Sequence, residues 1–238
     1  MIPWEARSYI NMQRFLSLLQ FADGLFPAGA YAHSFGLEAC VQAGEVRDAA
    51  GVEAFLRAYL EGSAGPTDAV ALVCARRAAA EHNVEACLAL DADLDAMKAA
   101  SELRDASRQM GRQTLRVATH LPCDPLLDEF AKAVADEITP GHHPVVFGMV
   151  GGVLGWDALE MTHAYFYSTS AALVGAALRL LPLGQLAGQH IVWNVQPPIA
   201  ELAAAAQNKR EDDIWSFAPA LEIAGMRHAR LDARLFRS

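Results

Sequence analysis

Glu160-Met-Thr-His163 sets a carboxylate and an imidazole three residues apart, on one face of any helix that carries them. Di-iron helical bundles use this spacing, but they also need a second Glu-x-x-His and two further carboxylates from other helices. The chain contains no second copy, so the spacing reads as coincidental. His142-His143 precedes Pro144 at a predicted helix start. Adjacent side chains diverge and chelate poorly, so these read as loop or capping histidines, with a weak transient metal contact as the alternative. Ser34 follows His33 as a nucleophile might follow its base, yet neither a nucleophile elbow nor an oxyanion-hole motif accompanies the pair. No Gly-x-x-x-x-Gly-Lys-Ser/Thr loop is present, so the chain is not itself a P-loop nucleotidase. Cys40, Cys74, Cys87 and Cys123 are widely spaced and make no zinc framework. An enzyme would have to be a helical metalloenzyme drawing on Glu160, His163, His142 and His190. The expectation is no catalytic residue, no bound metal and no cofactor.

Two other patterns suit recognition better than catalysis. Arg104, Arg108, Arg112 and Arg116 recur every four residues, forming one stripe on a helix whose like charges repel unless something acidic faces them. Glu102, Asp105, another helix or a second subunit are the candidates. Arg227, Arg230, Arg234 and Arg237 would share a face if the terminal segment became helical, with Leu231, Leu235 and Phe236 as apolar anchors. Arginine beside aromatic side chains is the composition of binding hot spots.

The rest of the chain has to position these groups. At 238 residues, 53% of them hydrophobic, it can bury a substantial core. No stretch of about twenty residues lacks charges or breakers, so no membrane span is expected. The N-terminus shows no basic region followed by an apolar run, and the scattered thiols suit a reducing compartment, so a cytoplasmic location is expected. A net charge of −9 argues against broad nucleic-acid binding. That charge is uneven: residues 227–238 hold four arginines against one aspartate, a balance of +3, which leaves −12 for residues 1–226.

Helical periodicity runs almost throughout. Val52, Phe55, Leu56, Tyr59 and Leu60 follow the i, i+3, i+4, i+7, i+8 pattern behind Asp48, a natural cap. Leu126, Leu127, Phe130, Ala133, Val134 and Ile138 repeat the pattern between Pro125 and Pro140-Gly141. Further helices are predicted near 12–22, 34–43, 67–82, 95–120, 145–155, 157–181, 184–207 and 219–230, with Pro197-Pro198 kinking or breaking the segment 184–207. Gly148, Gly151, Gly152 and Gly155 would let another helix approach closely. Residues 207–213 are the best candidate for a flexible connection. The expected fold is all-α: a single-domain bundle of about ten helices over residues 1–226, followed by a basic tail, 227–238.

The stretch Gly24-Leu-Phe-Pro-Ala-Gly-Ala-Tyr-Ala-His-Ser-Phe-Gly-Leu-Glu38 combines a helix-ending proline, glycines, aromatics and a Tyr-x-His-Ser run on a connection between helices. It closely resembles the segment near the N-terminus of the UreF family of urease accessory proteins. Three further stretches match that family in order: Glu102-Leu-Arg-Asp-Ala-Ser-Arg-Gln-Met-Gly-Arg112, Arg179-Leu-Leu-Pro-Leu-Gly-Gln-Leu-Ala-Gly-Gln189, and Met226 to Ser238. Trp193 and Pro197-Pro198 depart from the smoother helix expected after Gly-Gln. The resemblance spans nearly the whole chain and implies an all-α homodimer without a catalytic centre. Such a protein binds the accessory protein UreD (also called UreH) and the GTPase UreG on apo-urease and supports GTP-dependent nickel insertion. It is also taken to offer a possible internal passage for the metal. The partner-binding residues it implies are Tyr31, His33, Ser34, Arg179, Gln185, Gln189, Arg227, His228, Arg234, Leu235, Phe236 and Arg237. Tyr31 and Arg234 would shape the GTPase-docking face, and the tail would order when the UreD-type partner binds. A variant of this role is direct regulation of the partner's GTP hydrolysis through Arg179 or Arg112.

Overall fold

The computed structural model describes residues 4–121 and 124–238, with the side chains of residues 4–10 left aside. Among the described residues there are twelve α-helices and no strand: α1 Trp4–Ala22, α2 Leu37–Gln42, α3 Ala49–Tyr59, α4 Val70–Ala80, α5 Val84–Met97, α6 Ser101–Ala118, α7 Pro125–Ala135, α8 His143–Leu154, α9 Ala158–Leu180, α10 Gln185–Asn194, α11 Gln196–Ala206 and α12 Pro219–His228. A π-helical segment, Leu60–Ala69, joins α3 to α4 without interruption, and α10 meets α11 at the single residue Val195. With α3 and α4 continuous, the twelve segments make eleven rods, close to the about ten helices of the all-α expectation.

The centre is α8, whose residues from Pro144 to Gly151 are all buried. It packs chiefly on α4 and α6 and also touches α1, α5 and α9. Glycine makes the α4 contact possible. A Cβ at Gly148 would stand 2.3 Å from Leu72 O, and one at Gly152 would stand 2.5 Å from Arg76 O, so two helix backbones lie against each other. Phe147, Trp156, Tyr165 and Phe21 form an aromatic cluster beside this seam.

Asp48 caps α3 through Gly51 N, and Val52, Phe55, Leu56 and Tyr59 are buried as the periodicity requires. The π segment that follows has a local cause. Pro66 has no N–H to give to the carbonyl of Gly62, and its ring crowds the helix there. That carbonyl instead accepts Phe217 N at 3.0 Å, while Pro66 O accepts Trp215 N at 3.3 Å and Thr67 Oγ1 donates to Trp215 O at 2.9 Å. The chain around residues 215–217 is thus strapped along the π segment. Just before it, Glu211–Asp213 forms a 3₁₀ turn within the connection expected to be flexible.

Against the sequence expectation, α1 starts earlier, at Trp4, α2 is shorter, and the region 84–120 differs most. A helix over Val84–Met97 was not anticipated, and the expected helix 95–120 is broken between Met97 and Ser101. There Lys98 pairs with the buried Asp68 at 2.9 Å, and Ala100 N donates to Glu222 Oε2 at 2.8 Å. The segment 184–207 breaks at Val195, in keeping with the expected effect of Pro197-Pro198, because Pro197 is tolerated in the first turn of a new helix, where no N–H is required.

The arginine stripe of α6 finds partners within the chain. Arg108 holds Asp95 with two 2.8 Å bonds and also reaches Asp105, Arg112 Nε donates to Pro140 O, and Arg104 Nη1 donates to Lys98 O.

Gly148→Ala is expected to lower unfolding stability by about 3 kcal/mol, the upper range for forcing extra volume into a tight contact. Gly175→Ala, inside α9 where a Cβ meets nothing within 4 Å, serves as the control and should raise the urea midpoint slightly, by the equivalent of about 0.5–1 kcal/mol of helix propensity.

Candidate functional site

Residues 29–36 make a tight connection into α2. Gly29 opens it with φ 86°, Ala30–Ala32 form a single 3₁₀ turn, and Phe35 and Gly36 follow with φ 52° and 88°. A Cβ at Gly36 would press on Ala224 and Gly225 of α12 at 3.1 Å, so the absence of a side chain sets how closely α12 approaches.

The terminal segment lies along this connection. Arg237 N donates to Ala32 O at 2.8 Å, and both Ser34 N and Phe35 N donate to the main-chain oxygen of Ser238. Ser34 Oγ donates to the same oxygen at 2.8 Å, and His33 Nδ1 meets Ser238 Oγ at 2.8 Å. His33 and Ser34 are therefore committed to Ser238 and not to each other, which removes the nucleophile–base pairing. Ser34 also supports the first turn of α2, through Glu38 N at 3.3 Å.

Glu38 is the acceptor that organises the tail. Its carboxylate is buried and takes Leu235 N at 2.7 Å, Phe236 N at 3.0 Å and His228 Nε2 at 3.0 Å. Burial pushes this carboxyl up, but the two backbone N–H groups and His228 outweigh that and hold it below the usual carboxylate range. On the other side of His228, Glu102 of α6 accepts Nδ1 at 2.6 Å and Arg234 Nη1 at 2.9 Å.

Above this polar layer stands an aromatic clamp. The Arg179 guanidinium at the end of α9 lies 4.1 Å from the Tyr31 ring centroid and 4.3 Å from that of Phe236, and its Nη1 donates to Tyr31 O at 3.0 Å. A cation over an aromatic face contributes about 0.5–1 kcal/mol at an exposed site and more where it is desolvated. Phe236 is buried, whereas Tyr31 is 73% exposed and Leu235 54% exposed, so the clamp presents one ring outward.

The implied site residues divide accordingly. Tyr31, His33, Ser34, Arg179, His228, Arg234, Leu235, Phe236 and Arg237 all belong to the contacts that seat the terminal segment. Arg227 turns instead to Glu45, at 2.8 Å. Gln185 and Gln189 are exposed on α10, which packs on α3, α9 and α11 and not on α12. Because α12 ends at His228, the four terminal arginines do not line one helical face. Glu38 was not anticipated as an acceptor, and Glu102, a candidate partner for the α6 arginines, instead faces His228 and Arg234. Their signal lay in the charge imbalance, since a +3 tail on a −12 body requires acidic seats.

Other candidate ligands are apart or already engaged. His142 is buried between Ser107 Oγ at 3.0 Å and Asp95 Oδ1 at 2.8 Å, with its N–H on Asp91. His143 stacks among Phe147 and Tyr165, and burial drives its pKa down to about 4. Among the described residues no group of three or more His, Cys, Asp or Glu side chains is placed to hold a metal ion, Glu160 and His163 included. No helix there is long and apolar enough to cross a membrane.

Fold and site together define an all-α bundle whose most concentrated polar network fastens the chain's own terminal segment to a loop near its start. Comparison with known proteins supplies the particular family. The UreF family model matches residues 46–196, and the chain belongs to that family. It is similar to the protein named urease accessory protein UreF of Actinobacillus pleuropneumoniae, with 33% identity over 93% of this chain and 98% of that one. The protein of the same name from Bacillus sp. strain TB-90 is 32% identical over 95% of this chain and all of its own length. That of Paenarthrobacter aurescens strain TC1 is 34% identical over 94% and 97%.

Burial, with Arg237 nearby, lowers the His33 pKa to about 4. The folded chain thus holds His33 neutral while the unfolded chain protonates it below about pH 6.5, so the unfolded state binds more protons and stability falls on acidification. Between about pH 6.5 and 4 this one group should remove up to about 3 kcal/mol. Urea midpoints measured across that window should fall less steeply for His33→Gln than for the unaltered chain.

Proposed function

We propose that this chain is a non-catalytic accessory protein of urease maturation, working in the cytoplasm as a homodimer. It holds a UreD/UreH-type partner and the GTPase UreG on apo-urease during GTP-dependent nickel insertion. Nickel is cargo of the assembly and not a resident cofactor of this chain.

The observation that carries this proposal is the clamp of Arg179 between Tyr31 and Phe236, which holds the same terminal segment whose Arg234 is seated on Glu102. An exposed aromatic ring backed by arginine and anchored by a buried phenylalanine is the composition of an interface centre. Family membership supports assigning that face to urease assembly. In this proposal the UreD-type partner captures the docked tail, residues 227–238, and so completes the surface on which the GTPase lands.

Direct regulation of the partner's GTP hydrolysis draws less support. Its two candidate arginines are engaged within the chain, Arg179 between two rings and Arg112 on Pro140 O.

Light-scattering chromatography of the chain mixed with its cognate UreD-type and GTPase partners should give a complex containing two copies of it. A version ending at Met226 should give none. Arg234→Ala should weaken GTPase recruitment by about thirtyfold, the equivalent of about 2 kcal/mol, with the helical signal unchanged. Full recruitment by that variant would remove Arg234 from the docking face, and no complex from the full chain would sink the scaffold role.

A further inference from the structure

His228 sits at the junction of α2, α6, α12 and the tail, with no exposure. Its two ring nitrogens face carboxylate oxygens on opposite sides, Nε2 toward Glu38 at 3.0 Å and Nδ1 toward Glu102 at 2.6 Å. An ionised carboxylate can only accept, and a neutral imidazole offers one N–H. With both glutamates ionised, a neutral ring would aim a lone pair at an anion across a buried contact, which is repulsive and leaves an acceptor unmet.

The surrounding charges fit a doubly protonated ring. Glu38 on α2 and Glu102 on α6 contribute two negative charges, and Arg234 from the tail contributes one positive. A cationic His228 brings this buried group to neutrality, whereas a neutral one leaves it at −1. On α12 itself, Arg227 is turned to Glu45 and Glu222 is bonded to Ala100 N. From the 33–36 connection the nearby His33 is held neutral at ordinary pH by burial, and Arg237 of the tail is exposed. Glu38 joins the ring directly to the tail, because the same carboxylate holds the N–H groups of Leu235 and Phe236.

We propose that His228 is a proton-loaded latch: with a proton on both ring nitrogens it locks the terminal segment onto Glu38 and Glu102, and giving up one proton to water releases it. The chemistry is a single proton transfer to solvent with no bond other than N–H broken. Since the docked state binds one more proton than the released state, docking weakens as pH rises. The significance of the latch rests on the docking-face proposal above, because Arg234, Leu235 and Phe236 are part of that face; the latch itself belongs to the chain alone.

Glu102→Gln separates this from a merely structural role. The amide keeps an oxygen for Arg234 and puts N–H where Glu102 Oε2 stood, so it donates to Nδ1 of a neutral ring whose Nε2–H still reaches Glu38. Nitrogen-15 NMR of the full chain near pH 7 should show both His228 nitrogens protonated, the signals being assigned by their loss in His228→Gln. In Glu102→Gln one of the two should be bare while the Leu235 and Phe236 amides stay protected. Between about pH 6.5, where the released ring gives up its proton, and the pH at which the docked ring does so, their protection, corrected for intrinsic exchange, should fall about tenfold per pH unit in the unaltered chain and stay level in Glu102→Gln. A bare His228 nitrogen in the unaltered chain near pH 7, parallel pH profiles in the two proteins, or no protection of these amides in either would each overturn the latch. The wild-type spectrum decides even where the variant fails to fold. Because these measurements involve no partner, failure of GTPase recruitment would sink the scaffold proposal and leave the latch standing.

Discussion

Burying a carboxylate is costly unless other groups replace the water it loses, and in this chain the carboxylate of Glu38 is the clearest case. Its replacement shell comes from parts of the sequence about two hundred residues away: the backbone of Leu235 and Phe236 and the ring of His228. Removing the tail would strand the charge, and neutralising the charge would leave two backbone N–H groups without an acceptor. The loop, α2, α12 and the tail are therefore mutually dependent. Phe236 enters its seat under Arg179 because the backbone on either side of it is already fixed, by Glu38 at Leu235 and Phe236 and by Ala32 at Arg237.

That arrangement needs a rigid floor, which the bundle provides through close backbone contact more than through large side chains. Gly148 and Gly152 bring α8 against α4, while α9, whose far end carries Arg179, is held chiefly by α1, α2, α10 and α11. The π segment plays a comparable part at the opposite side. Pro66 frees a carbonyl that must be satisfied, and the chain at Phe217 satisfies it just before α12 begins. A local defect in one helix thus sets where the polypeptide enters the helix that ends in His228.

Legibility from sequence followed the same division. The rods were readable wherever one face was apolar and a cap stood at the start, as with Asp48 and the repeat from Val52 to Tyr59. The α5–α6 boundary was not, because residues 84–118 are largely good helix formers and the break is imposed by Asp68 and Glu222, distant carboxylates that capture Lys98 and the N–H of Ala100. The path of the chain beyond His228 was unreadable for a related reason, since local spacing cannot show that its backbone N–H groups are taken by Glu38 and Ala32. Tyr31 and Phe236 could be named from motif, but their meeting on opposite sides of Arg179 required the fold.

Glu102 shows why the site and the scaffold cannot be assigned to separate parts of the sequence. It belongs to α6, the helix that packs directly on α8, yet its two oxygens hold His228 and Arg234. A shift of α6 against the core would move both tail contacts together, and a change in the tail would be felt at α6 as an unpaired carboxylate. Arg104, Arg108 and Arg112 on that helix are tied to Lys98 O, to Asp95 and to Pro140 O, which restrains its position against its neighbours. The stripe, which from sequence could be an interface or a face neutralised by its neighbours, thus helps fix the helix that presents Glu102 to the tail.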